Sequence, residues 1–168
     1  MTPERRYFNE AVLPAFVEDH AKPGSVVLDV GHPDEGWGYR KLWTDAGADY
    51  KTVDRSKELK PDIVADIEEY EFFDKSHRLP EIVVCHGVME QCHNPFVMAD
   101  AIHDMLLKGG RALFGMLSIG YPLWQDLDLC RFTPQGAERL FSDWKSCNLD
   151  VIYRYGDVPS AIYAVVQK

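Results

Sequence analysis

Three apolar runs, SVVLDV (25–30), PEIVVCH (80–86) and RALFGML (111–117), lack the strict alternation of a half-exposed strand. Successive side chains on a strand point to opposite faces, so runs of this kind predict strands covered on both sides. Helical patterns lie between them. Tyr39 to Ala46 reads as a short helix closed by Gly47, and from Pro95 the residues Phe96, Ala99, Ile102 and Leu106 share one helix face before LLKGG ends it. A third helix is read in FTPQGAERLFSDW (132–144), with Thr133 as N-cap, Pro134 in the first turn, and Leu140, Phe141 and Trp144 facing inward. DYKTVD (49–54) and DIVAD (62–66) supply two further strands, and LDVIYRY (149–155) and AIYAVVQ (161–167) the last two, joined by the turn GDVPS. Alternation of strands and helices predicts a doubly wound, mostly parallel α/β sheet of seven strands with helices on both faces, and the short final connection predicts that the last strand is antiparallel.

The 168 residues, 46% of them hydrophobic, suffice for one core, and no shift in composition marks a second. The chain is read as one domain over 1–168, with an N-terminal helical segment in 1–24 and the sheet in 25–168. In that segment Thr2-Pro3 gives a cap and first turn, Phe8, Val12 and Phe16 recur every fourth residue, and Pro14 should bend or divide the helix. The opening MTPERRYFNE lacks a signal-type apolar stretch, and no run nears the roughly 18 residues of a membrane span, so a cytoplasmic protein is expected. Cys85, Cys92, Cys130 and Cys147 lack paired spacing and are read as thiols. A net charge of -9 opposes neutralising a phosphate backbone, which excludes nucleic acid as the expected partner. No feature speaks for or against a homo-oligomer.

In open α/β sheets ligands bind beyond the carboxyl ends of the strands, where successive connections diverge. Here that place is the exit of the first strand, VVLDVGHPDEGWGYRKLW (26–43). Gly31 and Gly36 have the spacing of a P-loop, but Trp37-Gly38 stand where its lysine and hydroxyl belong. A dinucleotide fingerprint would need glycine where Pro33 lies, and Asp34 and Glu35 do not suit a pyrophosphate. Acidic neighbours suit instead a nucleoside carrying a cationic sulfonium. Asp54, at the tip of the second strand, sits where an acid takes ribose hydroxyls, and Asp66 closes the third strand on the same edge.

With these features the chain resembles the class I S-adenosylmethionine-dependent methyltransferases, whose sheet is Rossmann-like, and among them the small type 11 domains. The resemblance rests on five segments in order: VVLDVGHPDEGWGYRKL, YKTVDRSKELKPDIVADIEEYEF, PEIVVCHGVMEQCHNP, MLLKGGRALFGML and DLDLCRFTPQGAERLF. It departs from the family where HPDEG replaces the second glycine of the first motif and where Gln91 takes the place of a frequent histidine. The resemblance implies S-adenosyl-L-methionine as cofactor, in-line methyl transfer to a small-molecule acceptor, and a site built as follows. Asp29, Gly31 and Gly36 shape the methionine end, Asp54 takes the ribose, and Asp66 with the Ile67 backbone borders the adenine. Cys85 and His86 lie beside the sulfonium, and His86 and Glu90 are the catalytic candidates.

Blander roles compete at several of these positions. Asp29 can cap its own turn, and Asp66 begins an acidic stretch that reads as solvated. CH occurs at both 85–86 and 92–93, but adjacent strand residues diverge, so no zinc site is expected. Methyl transfer needs alignment more than proton removal, so packing competes with catalysis for His86, His93 and Glu90. SIGYPLWQDLD (118–128) is read as a candidate substrate lid, and Arg131 as tying down an acidic neighbour. The alternative function is a methyltransferase-like module that has lost catalysis and binds a partner.

Overall fold

The computed structural model describes residues 1–31, 38–69, 78–122 and 128–168. The described helices are α1 (Pro3–Tyr7), α2 (Leu13–His20), α3 (Tyr39–Asp45), α4 (Pro95–Met105) and α5 (Pro134–Leu140). The strands are β1 (Val26–Val30), β2 (Asp49–Asp54), β3 (Ile63–Val64), β4 (Ile82–His86), β5 (Arg111–Leu117), β6 (Ser146–Arg154) and β7 (Val158–Gln167). They form one sheet in the order β3-β2-β1-β4-β5-β7-β6, with β7 antiparallel to both its neighbours. The doubly wound α/β reading of the sequence is thus the observed fold.

The apolar strands are covered on both sides because each face has its own core. Leu28, Val30, Val83, Cys85, Ala112, Phe114 and Met116 pack under α4 and α5, against Met98, Ile102, Met105, Leu140 and Phe141. Val27, Tyr50, Ile82, Val84, Leu113 and Tyr163 pack on the other face, under Phe8, Leu13 and Phe16 of the N-terminal segment and Trp43 of α3. Strand parity therefore assigns Cys85 to one face and its neighbour His86 to the other.

The N-terminal segment is divided as Pro14 requires. Between α1 and α2 lies one π-helical turn, Phe8–Val12, closed by a hydrogen bond from Leu13 N–H to the Phe8 carbonyl. Proline at position 14 has no N–H to give to the carbonyl four residues back, and the widened turn takes up that mismatch. The bounds of four elements move. β3 keeps only two residues of DIVAD, because the Asp62 side chain takes the Thr52 N–H of β2 and the Asp66 side chain closes a turn onto the Glu68 N–H. β6 begins at Ser146 and β7 at Val158, since the hairpin pairs Arg154 with Val158 and leaves the tight turn to Tyr155 and Gly156 at positive φ. α5 stops at Leu140, although Phe141 and Trp144 still bury their rings as expected.

Candidate functional site

Connections from β1 and from β3 leave toward opposite sides of β1, which puts the switch point between the carboxyl ends of β1 and β4. β1 ends at Gly31, whose N–H is held by the Val53 carbonyl at 2.8 Å and whose φ is 72°. A Cβ at this position would lie 2.3 Å from a methyl of Val88, so the turn is closed to any other residue twice over, by backbone conformation and by contact with the segment after β4.

Asp29, two residues before Gly31, points to the α3 face and is 1% exposed. The Tyr50 hydroxyl donates to its Oδ2 at 2.5 Å. The Tyr50 ring lies 5.0 Å beneath the Arg40 guanidinium, which also holds Asp62 at 2.7 Å. Asp62 in turn accepts from the Thr52 N–H at 2.8 Å. Burial pushes the Asp62 carboxyl up, and the bonds from Arg40 and Thr52 outweigh it, leaving the group below its ordinary range.

Asp54 follows the last β1–β2 pair, Val30 with Val53, so it stands level with Gly31. It is half-buried; its Oδ1 accepts the Ser56 N–H at 2.7 Å, and its Oδ2 makes no hydrogen bond among the described residues. Next on the same edge, Asp66 accepts the Glu68 N–H at 3.0 Å and Ile67 drops its side chain into the core. Glu68 then accepts from the N–H groups of His93 and Asn94 at 3.0 and 2.8 Å, fastening the turn after β3 to the segment that starts α4. Burial raises the Glu68 carboxyl, and these backbone donors more than reverse it.

Cys85, expected beside the sulfonium, has its thiol fully buried on the α4 face, and burial raises it well above the usual thiol range. His86, a catalytic candidate, lies flat against Phe8, ring centroids 3.8 Å apart at 12°, and folds over β5 where Gly115 lacks the Cβ that would meet it at 2.2 Å. The ring is thus packed on one side and half-buried. Glu90, the other candidate, is 2% exposed; its Oε1 accepts the Leu117 N–H, while Oε2 has no hydrogen-bond partner among the described residues. Burial pushes its carboxyl up to about 7 against the pull of that N–H and of Arg131, and Asp128 adds to the rise.

Arg131 pairs with an acidic neighbour, Asp128, and also donates to the carbonyls of Ser118, Tyr121 and Pro122. Gly36 and the rest of the segment 32–37, the acidic stretch 70–77 and the centre of the proposed lid, 123–127, lie outside the described residues. Tyr50, Arg40, Glu68 and Val88 escaped the sequence reading. Strand alternation in DYKTVD could have put Tyr50 on one face with Thr52, but its meeting with Asp29 needs the β1–β2 register.

Sheet order, a reversed seventh strand and helices on both faces define the class I methyltransferase fold. Solved structures with this fold include the N-methyltransferase NodS from Bradyrhizobium japonicum WM9, 14% identical, matching 99% of this chain and 97% of that one with a TM-score of 0.70. A SAM dependent methyltransferase from Archaeoglobus fulgidus is 12% identical over 95% of this chain and 94% of that one, with a TM-score of 0.71. Burkholderia thailandensis 1,6-didemethyltoxoflavin-N1-methyltransferase, solved with 1,6-didemethyltoxoflavin and S-adenosylhomocysteine, is 15% identical over 95% of this chain and 78% of that one, with a TM-score of 0.68. At these identities the likeness is one of fold. No protein-family model matches the chain, type 11 included, and no curated protein matches it in sequence.

Proposed function

We propose that this chain is an S-adenosylmethionine-dependent methyltransferase whose acceptor is a small molecule. The observation that carries the reading is the pairing, at the switch point, of a left-handed Gly31 with a half-buried Asp54 carboxylate whose Oδ2 is not used by the protein. An acid at the tip of β2 in this setting suits two vicinal hydroxyls, and a turn without phosphate-binding residues suits a ligand without phosphate. The residues present therefore fit the cofactor: Asp54 would hold the ribose, the Asp66–Ile67 turn the adenine, and Asp29 with Gly31 the methionine end. The solved relatives bound to S-adenosylhomocysteine support the same choice.

S-adenosylmethionine supplies an activated methyl group on a positively charged sulfur. What the chain contributes is alignment and an environment of carboxylates and carbonyls, which is enough for in-line transfer to an atom that is already nucleophilic. His86 and Glu90 serve this reading as supports: one fixes the floor beside β5 under Phe8, the other joins the segment after β4 to the end of β5. With four cysteines present as free thiols, the reading includes a cytoplasmic location.

Isothermal titration with S-adenosylhomocysteine tests the proposal. We expect saturable binding, weakened at least tenfold by Asp54→Ala; no heat of binding at millimolar ligand would reject it. A partner-binding module without catalysis is favoured by one observation, the Val88 methyl seated against Gly31 at the centre of the crevice. Under that reading neither nucleoside nor Asp54→Ala has any effect.

A further inference from the structure

We propose that Tyr50 is a positioning residue that fixes the Asp29 carboxylate for the amino-acid end of the bound cofactor. The inference rests on the methyltransferase reading above and assigns a role to a residue outside the family segments' acidic and glycine positions. A buried carboxylate requires donors, and its direction is set by whichever donor is itself held still. Tyr50 is held at three points. Its ring lies under Arg40 at 5.0 Å, its carbonyl accepts from the same guanidinium at 3.2 Å, and its backbone is in register with Val27 of β1. Arg40 is itself anchored by Asp62, which grips the N–H of Thr52, the residue paired with Asp29 across the sheet.

The phenol therefore approaches Asp29 Oδ2 from a fixed side, and both groups are nearly closed to water, Asp29 at 1% and Tyr50 at 3% exposure. At the nucleoside end, among the described residues, Asp54 rests on the Ser56 N–H and the Asp66 turn on the Glu68 N–H. The two ends of the ligand are thus held by separate groups of residues: β1, β2 and α3 for the amino acid, the tips of β2 and β3 for the nucleoside. Separate groups make separable affinities.

The experiment compares S-adenosylhomocysteine with 5′-methylthioadenosine, which keeps the nucleoside and thioether but has no amino acid. Tyr50→Phe removes one oxygen and keeps the ring, its packing and the Arg40 contact. Titration calorimetry should show S-adenosylhomocysteine affinity falling about tenfold, the loss of one hydrogen bond to a charged group, with 5′-methylthioadenosine affinity unchanged within about twofold. Asp29→Asn, a second variant of equal volume, should show the same selective loss. If Tyr50→Phe weakens both ligands equally, the role is packing and the proposal falls; if it weakens neither, the hydroxyl positions nothing and the proposal falls as well. Failure of the wild-type protein to bind either nucleoside would instead reject the methyltransferase reading itself, so the two failures are told apart by the wild-type titration.

Discussion

A carboxyl group taken out of water needs donors or a proton, and three acids show both solutions. Asp29 has the Tyr50 hydroxyl, and Glu4, 2% exposed at the start of α1, has Arg154 and the Ser160 hydroxyl. Glu90 has one backbone N–H and a carboxyl raised to about 7. For Glu90 the folded state holds its proton more tightly than the unfolded chain, whose value is 4.5, so its contribution is full below that value and is lost as pH rises through about 7. The loss is on the order of 3 kcal/mol. Thermal melts of Glu90→Gln should therefore match the wild type near pH 5 and exceed it near pH 8; equal pH profiles would show that the buried carboxyl does not titrate in this window. Asp54→Ala belongs to this scale too, since removing a rim carboxylate should cost ligand affinity while leaving the melting temperature within about 2 °C, the effect of a surface substitution.

The N-terminal segment is tied to the sheet by side chains from both ends of the chain. Glu4 bonds Arg154 and Ser160, Tyr163 donates to the Glu4 carbonyl at 2.7 Å, and Tyr7 donates to Asp150 at 2.8 Å, so α1 is tied to the β6–β7 hairpin at the carboxyl edge of β5. Burial raises the Glu4 carboxyl, while Ser160 and Arg154 bring it below its ordinary value, and this stabilisation is present above the unfolded value and lost on acidification. Glu4→Ala leaves Arg154 without its partner and should cost about 3 kcal/mol, with amide exchange accelerated first in α1 and the hairpin turn. One turn on, Phe8 is fully buried between Tyr39, Tyr163 and His86. Phe8→Ala should cost about 3–5 kcal/mol by chemical denaturation, and removal of the stacked ring should shift the His86 ring-proton resonances by NMR. β3 shows the opposite economy: two residues suffice because Asp62 and Asp66 spend their side chains on backbone N–H groups at either end.

At the scale of the molecule, both cores share one sheet, so neither face can come apart without uncovering the other. Unfolding should follow a single cooperative transition by both fluorescence and circular dichroism. A ligand at the switch point contacts the ends of several strands, which makes its binding a stabilisation of the whole. At a hundred times its dissociation constant S-adenosylhomocysteine should add about 2.7 kcal/mol and raise the melting temperature by roughly 5–10 °C. NAD, whose pyrophosphate finds no dinucleotide glycine pattern after β1, should produce no shift.

The sequence alone determined the layered architecture. Apolar runs of strand length cannot face water on either side, and helical periods between them supply the two covers, so the α/β class and reversed final hairpin follow from local patterning and connection length. It also placed Asp54 at the tip of β2 and Gly31 directly after β1, by position in the chain. What tertiary structure decided was the direction and company of each side chain there. That Asp29 meets Tyr50, that His86 lies beneath Phe8, and that Glu90 reaches Leu117 all depend on register and on contacts between residues far apart in sequence, as with the 27 positions between Glu90 and Leu117. Periodicity tells which face a residue is on; only the folded chain brings the group that waits on that face.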